Sequence, residues 1–94
     1  MKFLGITKSP NPKKKWTATF ENNGKEKHTD FGDSSMEDYT QHHDNQRREN
    51  YRSRHAKDLK TGDPTRAGYL SYYILWGDYG SIKANTLAYR RKFF

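Results

Sequence analysis

The densest run of chemically capable side chains is Asp38-Tyr39-Thr40-Gln41-His42-His43-Asp44-Asn45-Gln46-Arg47-Arg48-Glu49-Asn50-Tyr51-Arg52-Ser53-Arg54-His55. At helical spacing Tyr39, His43, Arg47, Tyr51 and His55 fall on one line, and Asp44, Arg48 and Arg52 on the next. Arginine forks grip phosphate oxygens two at a time, and Tyr and His add hydrogen bonds or stacking. A basic helix also fits the DNA major groove, with Asn50 or Gln46 set against adenine. No helix-turn-helix spacing supports that base-reading variant. The competing structural reading is a buried polar network using Asp38, Asp44 and Asp58 as partners. It places Tyr39 and Tyr51 in the core and leaves Arg48, Arg52 and Lys57 in solvent.

Catalytic chemistry finds less support. A hairpin followed by a helix bearing His and Asn is similar in outline to the ββα-metal nucleases, but the spacing departs from them. The first strand carries no His-centred motif, and His28 comes late in the second. His42 and His43 are adjacent, so on a helix they diverge by about 100°. A metal site built from His42, His43 and His55 is not expected, and there is no cysteine to supply a thiolate. No G-x-S-x-G, Walker-type glycine loop or H-E-x-x-H occurs. No cofactor is expected, and a metal-dependent nuclease stands third among the readings.

Charge points to polyanions. The net charge is +7, and it is blocky. Residues 1–27 carry +5, 28–46 carry −5, 47–60 carry +4 and 61–94 carry +3. Lys13, Lys14 and Lys15, in a proline-broken loop, are the first candidate phosphate contact along the chain, the competing reading being a solvated connection. Arg90, Arg91 and Lys92 form a third basic run.

The elements that must position these groups follow from patterning. With 94 residues, the chain suits one domain, 1–94. It has no apolar run long enough to span a membrane, and its first residues are too short and polar for a signal peptide. Aliphatic residues are scarce, but aromatic residues make up 15% of the chain, which implies a folded domain with a small aromatic core. Residues 1–6 suit an edge strand. Residues 15–31 read as a β-hairpin turning at Asn23-Gly24, with Trp16 opposite Phe31, Ala18 opposite Thr29 and Phe20 opposite Lys27. A helix is expected over about 36–59, entered through Ser35, with its charge running from acidic to basic along the macrodipole. A second, apolar on most sides, is expected over 64–76 behind Asp63-Pro64, and a third over 82–92 behind Ser81. Ile82, Tyr89 and Phe93 share one face of the third, with Ala84, Leu87 and Ala88 beside them. The fold class is α+β: an N-terminal hairpin or small three-stranded antiparallel sheet packed against three helices. Trp16, Phe20 and Phe31 are expected to meet Leu70, Ile74 and Leu75.

The order of Lys13-Lys14-Lys15, Phe31-Gly32, the Asp38-to-His55 string, Asp63-Pro64, Ala67-Gly68-x-Leu70-Ser71 and Ile74-Leu75-Trp76 resembles a family. It is a group of small basic proteins of unknown function encoded by large nucleocytoplasmic DNA viruses of algae and amoebae. The resemblance covers about residues 10–94. It departs from the pattern at Ser34-Ser35-Met36-Glu37 and at Gly77-Asp78-Tyr79-Gly80. It implies a viral origin and supplies no activity.

The expectation is a non-enzymatic, sequence-tolerant nucleic-acid-binding accessory protein, with DNA ahead of RNA as partner. Its contacts would be Lys13, Lys14, Lys15, Arg47, Arg48, Arg52, Arg54, Lys57, Arg90 and Arg91. Its location would be the virion or viral factory, in host cytoplasm or nucleus and not secreted. The alternative is a minor virion protein docking on an acidic protein surface through an aromatic patch near Tyr69, Tyr72, Tyr79, Phe93 and Phe94.

Overall fold

The computed structural model describes all 94 residues. Three antiparallel strands, β1 (Lys2–Lys8), β2 (Lys14–Asn22) and β3 (Lys25–Asp33), form a sheet in the order β1-β2-β3. The hairpin turn works because Asn23 and Gly24 both take positive φ, 55° and 80°. The expected register holds: Trp16 faces Phe31, Ala18 faces Thr29 and Phe20 faces Lys27. The N-terminal strand lies along β2 as an edge. A register shift between Phe3 and Gly5 leaves Phe3 buried and Leu4 exposed.

The sheet is followed by α1 (Tyr39–His42), α2 (Asn45–His55), a 3-10 segment (Ala56–Thr61), α3 (Ala67–Leu70) running into a π-turn (Ser71–Leu75), and α4 (Ile82–Phe93). The arrangement is α+β. Phe20, Phe31, Ala18 and Phe3 pack with Leu70, Ile74, Leu75, Trp76, Tyr39 and Tyr89 in one core. Trp16 only flanks this core and is partly buried. Truncating Phe20 or Phe31 to Ala should cost about 3–5 kcal/mol, and Trp16 less.

Three helical expectations need correction. The 36–59 helix is interrupted at His43, which adopts φ 54° and closes α1 through its N–H to the Tyr39 carbonyl. Asp44 then caps α2, its side chain accepting from the N–H groups of Gln46 and Arg47. Asp and Asn favour caps over helix interiors, so Asp44-Asn45 starts a new helix where it could have continued an old one. The first cap is Asp38 rather than Ser35: its side chain accepts from Thr40, while Gln41 reaches back to its backbone N–H in a capping box.

The 64–76 helix starts later. The Asp63 side chain accepts from the Thr65 backbone N–H at 3.0 Å, which makes a turn there, and α3 begins only at Ala67. The last helix is close to its expected span, and Ser81 caps it through Ala84. Its buried face carries Asn85 and Tyr89, whereas Leu87 and Ala88 face solvent.

Candidate nucleic-acid interface

The ten basic residues expected to meet phosphate divide by what they touch. Lys15 is turned inward: its Nζ donates to Asp38 Oδ2 and to Gln41 Oε1, each at 2.7 Å. This side chain clamps the hairpin to the cap of α1 and is no free contact. Arg52 Nε donates to the Trp76 carbonyl at 2.8 Å and its Nη2 to Asp78 Oδ1 at 2.9 Å. Arg48 Nη1 reaches the Asp78 carbonyl at 3.2 Å, with its guanidinium 4.6 Å from the centre of the Tyr39 ring. Both side chains are about four-fifths buried, at 20% and 19% exposure. The placement of Arg48 and Arg52 in solvent is therefore overturned. The carbonyls left open after the π-turn recruit them.

Lys13, Lys14, Arg47, Arg54, Lys57, Arg90 and Arg91 are exposed. They do not form one face. The guanidinium of Arg90 lies 5.2 Å from the centre of the Phe3 ring. Phe3 is opposite Phe20, six residues along β2 from Lys14, or about 20 Å. The Lys13–Lys15 loop and the start of α2 do share a neighbourhood, because Lys15 and Arg47 line one cleft.

That cleft has a volume of about 700 Å³. Arg47, Asn50 and Arg54 contribute one wall, spaced three and four residues apart on a single face of α2. The two arginines are seven residues, about 10 Å, apart along the helix. Neither forms an ion pair; Arg54 only leans on the Asn50 carbonyl at 3.4 Å. Asp33, at the end of β3, and Glu37, in the turn that follows, line the cleft on another side. Hydrogen bonds from the Ser35 side chain and backbone hold the Asp33 carboxyl below its ordinary range, so this side stays anionic.

Deeper in the cleft, aromatic rings form a column. Tyr51 stacks on Trp76 at 4.3 Å and 6°, and His55 stacks on Tyr51 at 4.1 Å and 23°. Burial, with the Asp58 charge second, pushes the Tyr51 hydroxyl up to about 12. His55 Nδ1 lies 3.0 Å from Asp58 Oδ2, which fixes the ring. The spacing of Tyr51 and His55 was visible in the sequence as one helical step of four. Trp76 was not, because it arrives from the far side of the π-turn.

The other histidines are dispersed. His42 Nδ1 accepts from the Asp44 N–H at 2.9 Å, His43 Nε2 lies 3.0 Å from the Gly80 carbonyl, and His28 faces Thr19 on the sheet. No three of His, Asp and Glu converge as metal donors would. No helix is long and apolar enough to cross a membrane.

The expected aromatic patch assembles in part: Tyr69 meets Phe93, and Tyr73, half-buried between them and Tyr72, joins the three into one cluster. Tyr69 is buried and donates to the Leu59 carbonyl at 2.6 Å, and Phe93 packs on Tyr69, Tyr73 and Tyr89. Tyr79 and Phe94 are exposed and flank α4 at opposite ends, Tyr79 in the turn before it and Phe94 just after it.

A family model described as "Family of unknown function (DUF5754)" matches residues 4–55. The chain belongs to the DUF5754 family. The matched span holds the sheet from Leu4, both α1 and α2, and the cleft residues Lys15, Arg47, Arg54 and His55. Trp76, which completes the aromatic column, lies outside the span matched to DUF5754. No curated protein and no solved structure matches the chain.

Proposed function

We propose that this chain is a non-enzymatic nucleic-acid-binding accessory protein, gripping the phosphate backbone with little regard for sequence. The supporting observation is the pair Arg47 and Arg54, exposed and without a carboxylate on one face of α2, while Arg48 and Arg52 of the same helix are consumed internally. An unpaired guanidinium in solvent keeps its full capacity for bidentate phosphate contact. Lys13 and Lys14, exposed next to Lys15, do not line the cleft but add cationic charge close to it. Arg90 and Arg91 make a separate, weaker contact at the other end of the sheet. The net charge of +7 raises the local concentration of any polyanion. In the viral setting that the resemblance implies, such a protein neutralises a long packaged genome, with DNA ahead of RNA, in the particle or the viral factory.

The test is fluorescence anisotropy of labelled DNA and RNA titrated at two salt concentrations. Phosphate binding predicts a steep linear fall of log affinity with log salt. Absence of binding near 50 mM salt would end this reading and leave an acidic protein surface as the partner to seek. Added magnesium should produce no cleavage; if it does, the protein is a nuclease.

A further inference from the structure

We infer that the cleft is a single-strand site, in which an unpaired base continues the aromatic column on the outer face of His55 while its phosphates run along Arg54 and Arg47. The inference rests on the nucleic-acid reading above and makes it more specific. Two observations carry it.

The column is ordered and open at one end. Trp76, Tyr51 and His55 stack in sequence at 4.3 and 4.1 Å, and no further ring lies beyond His55, whose side chain is 38% exposed. Tyr51 packs against one face of the imidazole and Asp58 takes its Nδ1 edge, so the outer face and the Nε2 edge are left to a ligand. A base added there meets a platform already fixed in orientation, so little ordering entropy is lost on binding.

The polar groups around that end match a nucleotide better than a bare anion. Arg54 adjoins His55 in sequence, and Arg47 lies two turns back on the same face of α2. A strand running along this wall places successive phosphates against them. Asp33, at the end of β3, and Glu37, in the turn that follows, line the cleft; they would repel a second phosphate but can accept hydrogen bonds from exocyclic amino groups of a base. One basic wall and one acidic wall suit a ligand with a phosphate on one side and a base on the other.

A duplex cannot use this arrangement, because its bases are stacked and paired within the helix. It would engage the arginines alone. The site therefore discriminates between strands by stacking, and phosphate contact is common to both.

The experiment compares a labelled mixed-sequence single strand of about 15 nucleotides, as DNA and as RNA, with the duplex formed by annealing its complement, at two salt concentrations. Wild type should bind the single strands more tightly than the duplex. His55→Ala should weaken single-strand binding roughly 5- to 100-fold, leave duplex binding unchanged and leave the salt slope unchanged. His55→Phe keeps a stacking face without the Asp58 contact and should restore single-strand binding. It separates stacking from any loss of folding in the alanine variant. Equal binding of strand and duplex by wild type, or duplex binding lost together with strand binding in a folded His55→Ala protein, overturns the stacking site and leaves backbone binding intact. No binding of any of the three probes overturns both. If the DNA and RNA strands bind alike, the site reads base and phosphate only; a preference for one shows that the sugar is also read.

Discussion

The Nζ of Lys15 lies 2.7 Å from Oδ2 of Asp38, in a pair whose side chains are only 14% and 4% exposed. Asp38 also caps α1 through its other oxygen, so this contact ties the hairpin to the start of the helical half. Lys15→Ala strands a buried carboxylate and should cost about 3–5 kcal/mol. In a domain of this size that lowers Tm by more than about 10 °C. Lys13→Ala and Lys14→Ala, on exposed side chains, should stay within about 0.5 kcal/mol. Thermal melts of the three single variants decide the matter: similar melts for all three would mean that Lys15 does not clamp the fold.

The arginines of α2 should separate into two kinds. Replacing Arg47 and Arg54 with Ala should leave Tm nearly unchanged and lower the salt slope by about 0.7 per residue on single strands, or 0.9 on duplex. Arg52→Ala should do the reverse. It removes a charged donor from the Trp76 carbonyl and should destabilise by about 1.5–3 kcal/mol. A lower salt slope with an unchanged melt for Arg52→Ala would place that guanidinium in solvent after all.

Asn85 is the polar keystone of the helical half. Its Nδ2 donates to the Ile74 and Tyr79 carbonyls, each at 2.8 Å, and its Oδ1 accepts from the Tyr79 N–H at 2.9 Å. It is 1% exposed, so Asn85→Ala leaves several backbone groups without partners and should cost at least about 2–3 kcal/mol. Gly77 belongs to the same junction: a Cβ there would sit 2.2 Å from the Tyr73 carbonyl oxygen and 2.7 Å from the Asn85 amide. Gly77→Ala should therefore destabilise strongly, as urea midpoints of both variants can show.

Stability should fall in alkali. Tyr51 is raised from 10.0 to about 12 in the fold, chiefly by burial. The unfolded chain loses this proton near pH 10 while the native state keeps it, so the unfolded state binds fewer protons in that window. The contribution is complete below about pH 10 and is lost as pH rises toward 12. Burial also raises Tyr89, whose hydroxyl donates to the Pro64 carbonyl, and it extends the decline upward. Tyr51→Phe should flatten the fall in urea midpoint between pH 10 and 12 without abolishing it; an unaltered slope would mean that the Tyr51 hydroxyl titrates normally.

The hairpin, its register and its turn were legible residue by residue, because Asn23-Gly24 admits positive φ and a strand alternates with a period of two. The start of α4 at Ser81 was legible for a similar reason: a cap acts within three residues of itself. The break at His43 was legible only in part. Asp44-Asn45 is a cap signal, but the charge gradient along 36–59 favoured one long helix, and local preference alone does not choose between them.

Which cations remain free was decided by tertiary structure. Sequence specified the charges, the helical face shared by Arg47, Asn50 and Arg54, and the step of four from Tyr51 to His55. It did not distinguish Arg52 from Arg54, since the partners of Arg52 are 24 and 26 residues away in the backbone and side chain of a later turn. Lys15 likewise meets Asp38 across 23 residues. Local rules reach about one helical turn or one strand pair. The carbonyls exposed after the π-turn, the carboxylate that caps α1, and Trp76 beneath Tyr51 come within reach only when the sheet and helices close on their shared aromatic core.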